Sequence, residues 1–223
     1  MCGRYTLFGT KELTKRFNLG SKAGQIHANY NVAPGQMMPV IVDDKGKNQV
    51  IIMKWGLVPV WAKDINIGYK LINARAESVF DKPMWKGSVM HKRCLVPSSG
   101  FYEWKAVDEK TKQPYFIQPK DGGMFSFAGV FSSWKDVEGK ELLTFSIITT
   151  EPNKEMAKIH NRMPVILHPE DEDKWLRPSS ESRSDIEPLL RPLEDGSLEM
   201  HTVSRDVNSS KVNEERLIYH LDD

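Results

Sequence analysis

Cysteine is nearly missing from this chain of 223 residues. Cys2 and Cys94 are too few for a disulfide framework, and six scattered histidines offer no paired Cys or His spacing of the kind that binds zinc. No metal centre and no other cofactor is expected, so nucleophilic chemistry would fall to a free thiol. An excess of one charge is missing too. Thirty-one Lys plus Arg against thirty Asp plus Glu leave a formal charge of +1, so no whole-molecule field draws the protein to a polyanion or an anionic membrane. Contact with nucleic acid would have to come from a local patch. No window approaches the roughly 18 apolar residues of a membrane span, and the opening Met1-Cys2-Gly3-Arg4 has no charged leader, apolar stretch or cleavage signal. These absences lead us to expect a cytoplasmic monomer with no membrane partner.

What is present is ordinary for a globular chain: 39% hydrophobic and 27% charged residues, read as one domain over residues 1–223 with a sizeable core. Short β-type runs at 40–42, 49–55, 114–118, 124–131, 142–150 and 216–220 are punctuated by turn residues. The polar stretches 43–46, 108–113 and 136–139 have the composition of hairpin connections, which predicts antiparallel pairing of consecutive strands. Helical signals are sparse: 11–17 after Thr10 as N-cap, 153–159 after Pro152, 170–176 after Pro169, and 185–190. They are too few for alternating βαβ units, and no repeat or heptad is seen. The stretch 178–185 reads as a surface loop. The predicted fold is α+β, mainly β.

Cys2 is the first residue with chemistry to offer. Loss of Met1 would leave an α-amine beside the thiol, with reference pKa values of about 7.7–8.0 and about 8.5. Such a 1,2-aminothiol condenses with an aldehyde to an imine, which the thiol closes to a five-membered thiazolidine. On its own a Cys in this place is more readily read as part of a frayed terminus. Its neighbours argue otherwise: Gly3 allows close approach, Arg4 would lower the thiol pKa, and Tyr5-Thr6-Leu7-Phe8 reads as an anchoring strand.

Three further segments stand out. In Leu71-Ile72-Asn73-Ala74-Arg75-Ala76-Glu77 a polar Asn and a cation follow an apolar pair, with Asn73 and Arg75 on one strand face. The alternative is a turn residue and a surface ion pair. Gly100-Phe101-Tyr102-Glu103-Trp104 sets a carboxylate among aromatics, where desolvation would raise its pKa toward general acid/base work. A solvent-facing Glu on an edge strand fits as well. Ile159-His160-Asn161-Arg162-Met163-Pro164 places His160 and Arg162 at an element boundary, where functional residues often lie, although a lone His is more often structural.

Together with Asn29-Tyr30-Asn31-Val32-Ala33-Pro34-Gly35, Trp55-Gly56-Leu57-Val58-Pro59 and Val203-Ser204-Arg205, these blocks resemble the SOS response-associated peptidase (SRAP) family, whose members shield abasic DNA by covalent crosslinking. The resemblance runs along the whole chain. It implies a β-barrel-type core with short peripheral helices and a positively charged groove. It further implies autocatalytic removal of Met1, attack of Cys2 on the ring-opened aldehyde of an abasic site in single-stranded DNA, and a thiazolidine that protects the lesion from strand cleavage. Asn73, Glu103 and His160 match the family's other active-site positions. Ring opening and loss of water both need proton transfer, for which His160 and Glu103 are suited, while Asn73 would orient the aldehyde or the Cys2 amine. Arg4, Asn31, Lys54, Arg75 and Arg162 fall in or beside the blocks as strand-contacting residues, and Trp55, Trp61 and Phe101 are candidates to stack on bases. Two rival readings stay open. One is a glutamine amidotransferase or related N-terminal-nucleophile hydrolase, which also begins Met-Cys-Gly; the other is a non-catalytic single-strand binder in which Cys2 is incidental.

Overall fold

A computed structural model describes residues 2–19, 26–177 and 182–221. Strands dominate them: β1 (Arg4–Leu7), β2 (Asn29–Val32), β3 (Met37–Asp44), β4 (Lys47–Trp55), β5 (Asn73–Arg75), β6 (Arg93–Ser98) and β7 (Gly100–Ala106). The second half adds β8 (Lys112–Pro119), β9 (Phe125–Lys135), β10 (Glu141–Thr150), β11 (Met163–Pro164), β12 (Ile166–Leu167) and β13 (Leu198–Thr202). The helices are short: α1 (Leu13–Arg16), α2 (Pro83–His91), α3 (Pro169–Leu176) and α4 (Arg183–Ile186). None is long and apolar enough to cross a membrane.

Strands β10, β4, β3, β6 and β9 pair in that order, and β9 pairs back to β10, so five strands close a barrel. Closure leaves these five without a free edge. Ile41, Met53, Trp55, Leu95, Phe127, Phe145 and Ile147 are buried in the core it builds. A second, five-stranded antiparallel sheet runs β13-β8-β7-β1-β2, and the chain steps into it from the barrel across one residue, Ser99, between β6 and β7. Mainly β architecture is what the apolar runs implied, and the barrel core is what the family resemblance implied.

The three hairpin connections form as expected. Lys45 and Gly46 both have positive φ, 53° and 85°, which a two-residue β3–β4 turn of this twist requires, and Asp43 Oδ1 accepts from the Gly46 amide at 3.0 Å. Consecutive strands that pair do so antiparallel, as expected; the parallel pairings, of β10 with β4 and β5, join strands that are not consecutive. Three expectations need correction. Residues 216–220 form no strand; a 3-10 turn over Glu215–Ile218 buries Leu217 in a small cluster with Tyr102, Phe116, Val203 and Val207. Thr10 caps nothing, because its hydroxyl donates to the Ile26 carbonyl at 2.7 Å, and the helix beyond it is one turn. The segments 153–159 and 185–190 shrink to a 3-10 turn over Met156–Lys158 and to α4 plus a 3-10 turn over Glu187–Leu189. Helix α2 was not expected, since only Trp85 and Val89 give it a buried face. Residues 178–181 of the expected surface loop lie outside the described residues.

Gly56 and Gly68 touch backbone to backbone. A Cβ on Gly56, whose φ is 119°, would stand 2.7 Å from the Gly68 carbonyl oxygen, and one on Gly68 would stand 2.6 Å from the Gly56 oxygen. Gly46 has open space around it. Gly56→Ala is therefore expected to lower the unfolding free energy by at least about 2 kcal/mol through overpacking and strain, and Gly46→Ala by about 1 kcal/mol through strain alone. Urea unfolding of the two variants checks the ranking, and equal losses would show that the contact has no energetic weight.

Candidate functional site

The two ends of the connection from β4 to β5 are bonded to β10 and to each other. Gly56 donates to the Phe145 carbonyl at 2.8 Å, Leu57 to that of Leu71 at 3.1 Å, and Ile147 to that of Ile72 at 3.1 Å. The Trp55 indole also donates to Ile72, at 3.0 Å, and the Ser146 hydroxyl donates to Leu71. These bonds leave β5 one register, with Asn73 beside Ile147 and Arg75 beside Thr149. From there Asn73 Nδ2 donates to the Cys2 carbonyl at 2.9 Å. Its other amide atom, Oδ1, is buried without a hydrogen-bond partner among the described residues. An acceptor is thus left over beside Cys2.

Cys2 is not a frayed end. It is 0% exposed, tethered by Asn73 on one side and by strand β1 on the other. The β1–β7 register sets Arg4 opposite Tyr102 and Tyr5 opposite Phe101, which brings Glu103, 2% exposed, alongside the start of β1. Burial holds the Cys2 thiol well above the usual thiol range, and the Glu103 carboxylate pushes it further in the same direction. The expected lowering by the Arg4 cation is not seen: Arg4 acts on the thiol only through its backbone carbonyl, and the net shift is upward. The Arg4 guanidinium points away, donating to Asn31 Oδ1 at 2.7 Å and to the carbonyls of Val207 at 2.6 Å and Asn208 at 3.1 Å.

His160 and Arg162 arrive with β11, which pairs with β10 at Thr149 and Thr150, the same end that carries β5. The Arg162 backbone N–H donates to His160 Nδ1 at 3.1 Å. With Nδ1 accepting, the neutral ring carries its proton on Nε2. The Arg162 guanidinium is engaged on two sides, by Glu77 through both terminal nitrogens (2.5 and 3.0 Å) and by the Thr149 carbonyl at 2.6 Å. Cys2 and Asn73 are thus in direct contact and Glu103 acts on Cys2 through its charge, while His160 lies three residues before β11, at the end of β10 that also carries β5.

The expected strand-contacting residues divide. Trp55, 1% exposed, packs on Tyr5 and Phe145, and Phe101, 0% exposed, packs on Phe127. Neither has a face to offer a base, so both stacking assignments are corrected to core aromatics. Asn31 is buried, and its amide donates to the carbonyls of Ser209 and Val212 at 3.0 and 2.8 Å; with Arg4 it clamps the C-terminal segment onto β1 and β2. Arg75 is exposed. Trp61, 56% exposed, rims a cleft of about 220 Å³ against Met84 and His91. Lys54 lies 5.5 Å from the ring centre of Tyr69, an exposed aromatic that the sequence reading passed over. Its one signal there was an aromatic residue in a polar connection. Among the described residues no group of three or more His, Cys, Asp or Glu side chains could hold a metal ion.

The sequence profile described as "SOS response associated peptidase (SRAP)" matches residues 1–210. Abasic site processing protein YoqW of Bacillus subtilis (strain 168) is 44% identical over 221 residues, 98% of this chain and 99% of the relative. Abasic site processing protein YoaM of the same organism is 42% identical over 221 residues, 98% and 97% of the two chains. A crystal structure of a protein from Bacteroides thetaiotaomicron superposes with a TM-score of 0.90 at 31% identity, covering 99% of this chain and all of that one. With a match along nearly its whole length and a shared fold, the chain belongs to the SRAP family.

Proposed function

We propose that this protein processes abasic sites in single-stranded DNA by capturing them covalently on Cys2 once Met1 has been removed. The observation that carries the reading is the setting of Cys2: wholly buried, held at its carbonyl by Asn73, and beside the buried carboxylate of Glu103. A residue next to a chain end is immobilised in this way only at a cost in chain entropy, and an aminothiol with a fixed backbone is what the chemistry asks for. Removal of Met1 by the protein itself belongs to the same proposal. So does a location with the DNA, in the cytoplasm or nucleoid.

The order of steps follows from the electrostatics. A thiol whose deprotonation is opposed by burial and by Glu103 is a poor first nucleophile at neutral pH, whereas an α-amine titrating near about 8 has a usable neutral fraction. The amine therefore attacks the aldehyde carbon first. His160, with a proton on Nε2, and Glu103 serve as acid and base for opening the sugar hemiacetal and for expelling water from the carbinolamine. The thiol sulfur then adds to the imine carbon while its proton passes to nitrogen. The balance is aldehyde plus aminothiol giving thiazolidine plus one water. Asn73 holds the Cys2 carbonyl, and its unpartnered Oδ1 is placed to accept from the amine or the carbinolamine hydroxyl.

Three outcomes test this. Intact mass of the active protein should lack one Met residue, Cys2→Ala should form no heat-stable adduct with an abasic oligonucleotide on a denaturing gel, and Cys2→Ser should leave at most a borohydride-trappable imine; a stable adduct mapped to Cys94 would sink the mechanism. Glu103→Gln and His160→Ala should each slow adduct formation by about 10²–10⁴-fold with nearly unchanged binding of an undamaged strand. Equal loss of both would make them structural. For the DNA grip, Trp61→Ala should cost about 1–3 kcal/mol at an unchanged salt slope, while Arg75→Ala should reduce the magnitude of the slope of log affinity against log salt by about 0.7. Titrations at several salt concentrations separate the two, and identical slopes in all three proteins would exclude Arg75 as a phosphate contact.

A further inference from the structure

The guanidinium of Arg162 already has an anion on it. Glu77 meets it end-on with both carboxylate oxygens, at 2.5 and 3.0 Å, which is the two-oxygen geometry an arginine fork also offers a phosphate. Arg162 does not depend on that partner for its position. Thr149 holds it from the other side, with the carbonyl at 2.6 Å and the hydroxyl at 3.3 Å from Nη2, and the side chain is 13% exposed against 54% for Glu77. One partner is thus anchored and the other able to swing into water. Glu77 sits two residues after Arg75, and the charge of Arg75 acts on its carboxylate as well, more weakly than that of Arg162. The pair also leaves the Arg162 Nε–H buried without a partner among the described residues, a deficit that an arrangement made for stability would have filled.

We infer that Glu77 occupies the seat of a DNA backbone phosphate in the unliganded protein and must leave Arg162 for a strand to dock, so that it sets how weakly intact strands are held. The inference rests on the single-strand reading above and adds a specificity residue to it. An exposed ion pair is readily exchanged. The entering phosphate takes over both terminal nitrogens of Arg162 while Thr149 keeps the guanidinium in place, and Glu77 turns outward into solvent. Affinity for undamaged DNA is held down by this competition, whereas an abasic strand, once joined to Cys2, is insensitive to it.

The test is fluorescence anisotropy with a labelled, undamaged single-stranded oligothymidine. Glu77→Gln, which keeps the shape and removes the competing charge, should tighten binding about two- to fivefold. Glu151→Gln, a nearby exposed carboxylate lining the same surface hollow, should give a smaller gain, and in an Arg162→Ala background Glu77→Gln should add nothing. Unchanged or weakened binding by Glu77→Gln, a gain no larger than that of Glu151→Gln, or a gain that persists without Arg162 would overturn the inference. A parallel denaturing gel with an abasic oligonucleotide separates the two claims. Adducts without the affinity pattern leave the Cys2 reading standing and remove the Glu77 inference, and the affinity pattern without adducts does the reverse.

Discussion

One strand, β10, bears the weight of the site. It closes the barrel by pairing antiparallel with β9 and parallel with β4, and beyond the end of β4 it takes β5 on one side and β11 on the other. Asn73 and Arg75 come from β5, and His160 and Arg162 come with β11. A barrel without a free edge is stiff because each strand is bonded on both sides, so the residues it carries inherit positions that no loop could hold. The second sheet supplies the rest, Cys2 just before β1 and Glu103 on β7. The hydrogen bond from Asn73 to the Cys2 carbonyl ties the two halves of the site together, and any shift of β5 along β10 would break it.

Burial has opposite consequences for the two nucleophiles of Cys2. A buried thiol beside a carboxylate is discouraged from ionising, and it is correspondingly protected from oxidation and from stray electrophiles. In the proposed reaction that would suit a group required only after the amine has made an imine within reach of it. The same burial, by excluding bulk water, would disfavour hydrolysis of that imine before the ring closes. A catalytic cysteine of the ordinary kind needs a neighbouring cation; here the nearest arginine, Arg4, is turned toward Asn31 and the C-terminal segment.

Sequence patterns carried the strands of the core because most of them are long, apolar and joined by turn residues with a definite backbone requirement, as at Lys45 and Gly46; their closure into a barrel came from the family resemblance. Patterns failed where an element depends on its neighbours. The stretch 216–220 has strand-like composition and folds as a turn because Leu217 finds Tyr102 and Phe116 to pack on, and the parallel pairing of β10 with β4 and β5 has no local signature. The same limit governs the site. Cys2, Asn73, Glu103 and His160 could be singled out because each is a reactive or polar side chain in unusual company, but Trp55 and Phe101 look identical to exposed stacking residues until the barrel closes over them. Glu77 was read as half of a surface pair with Arg75; its actual partner, Arg162, lies 85 residues away, a distance that no periodicity spans.

Engagement of the arginines lowers the cationic character of the surface below what even the near-zero net charge implies. Of the arginines near the site, Arg4 is consumed by backbone carbonyls and Asn31, Arg162 by Glu77 and Thr149, and Arg75 remains exposed. In the proposed reading, a strand of DNA would meet two of these three arginines already engaged, and each phosphate contact on a single strand contributes only a modest salt-dependent increment to affinity. For a protein that acted by affinity this would be a defect. For one that formed a bond, as proposed, it would be an advantage, because such a protein spends its search on undamaged DNA, and weak contacts let it leave. Discrimination would then rest on the aldehyde, which intact nucleotides lack, and the energy of two new covalent bonds at one carbon would supply the retention that the surface withholds.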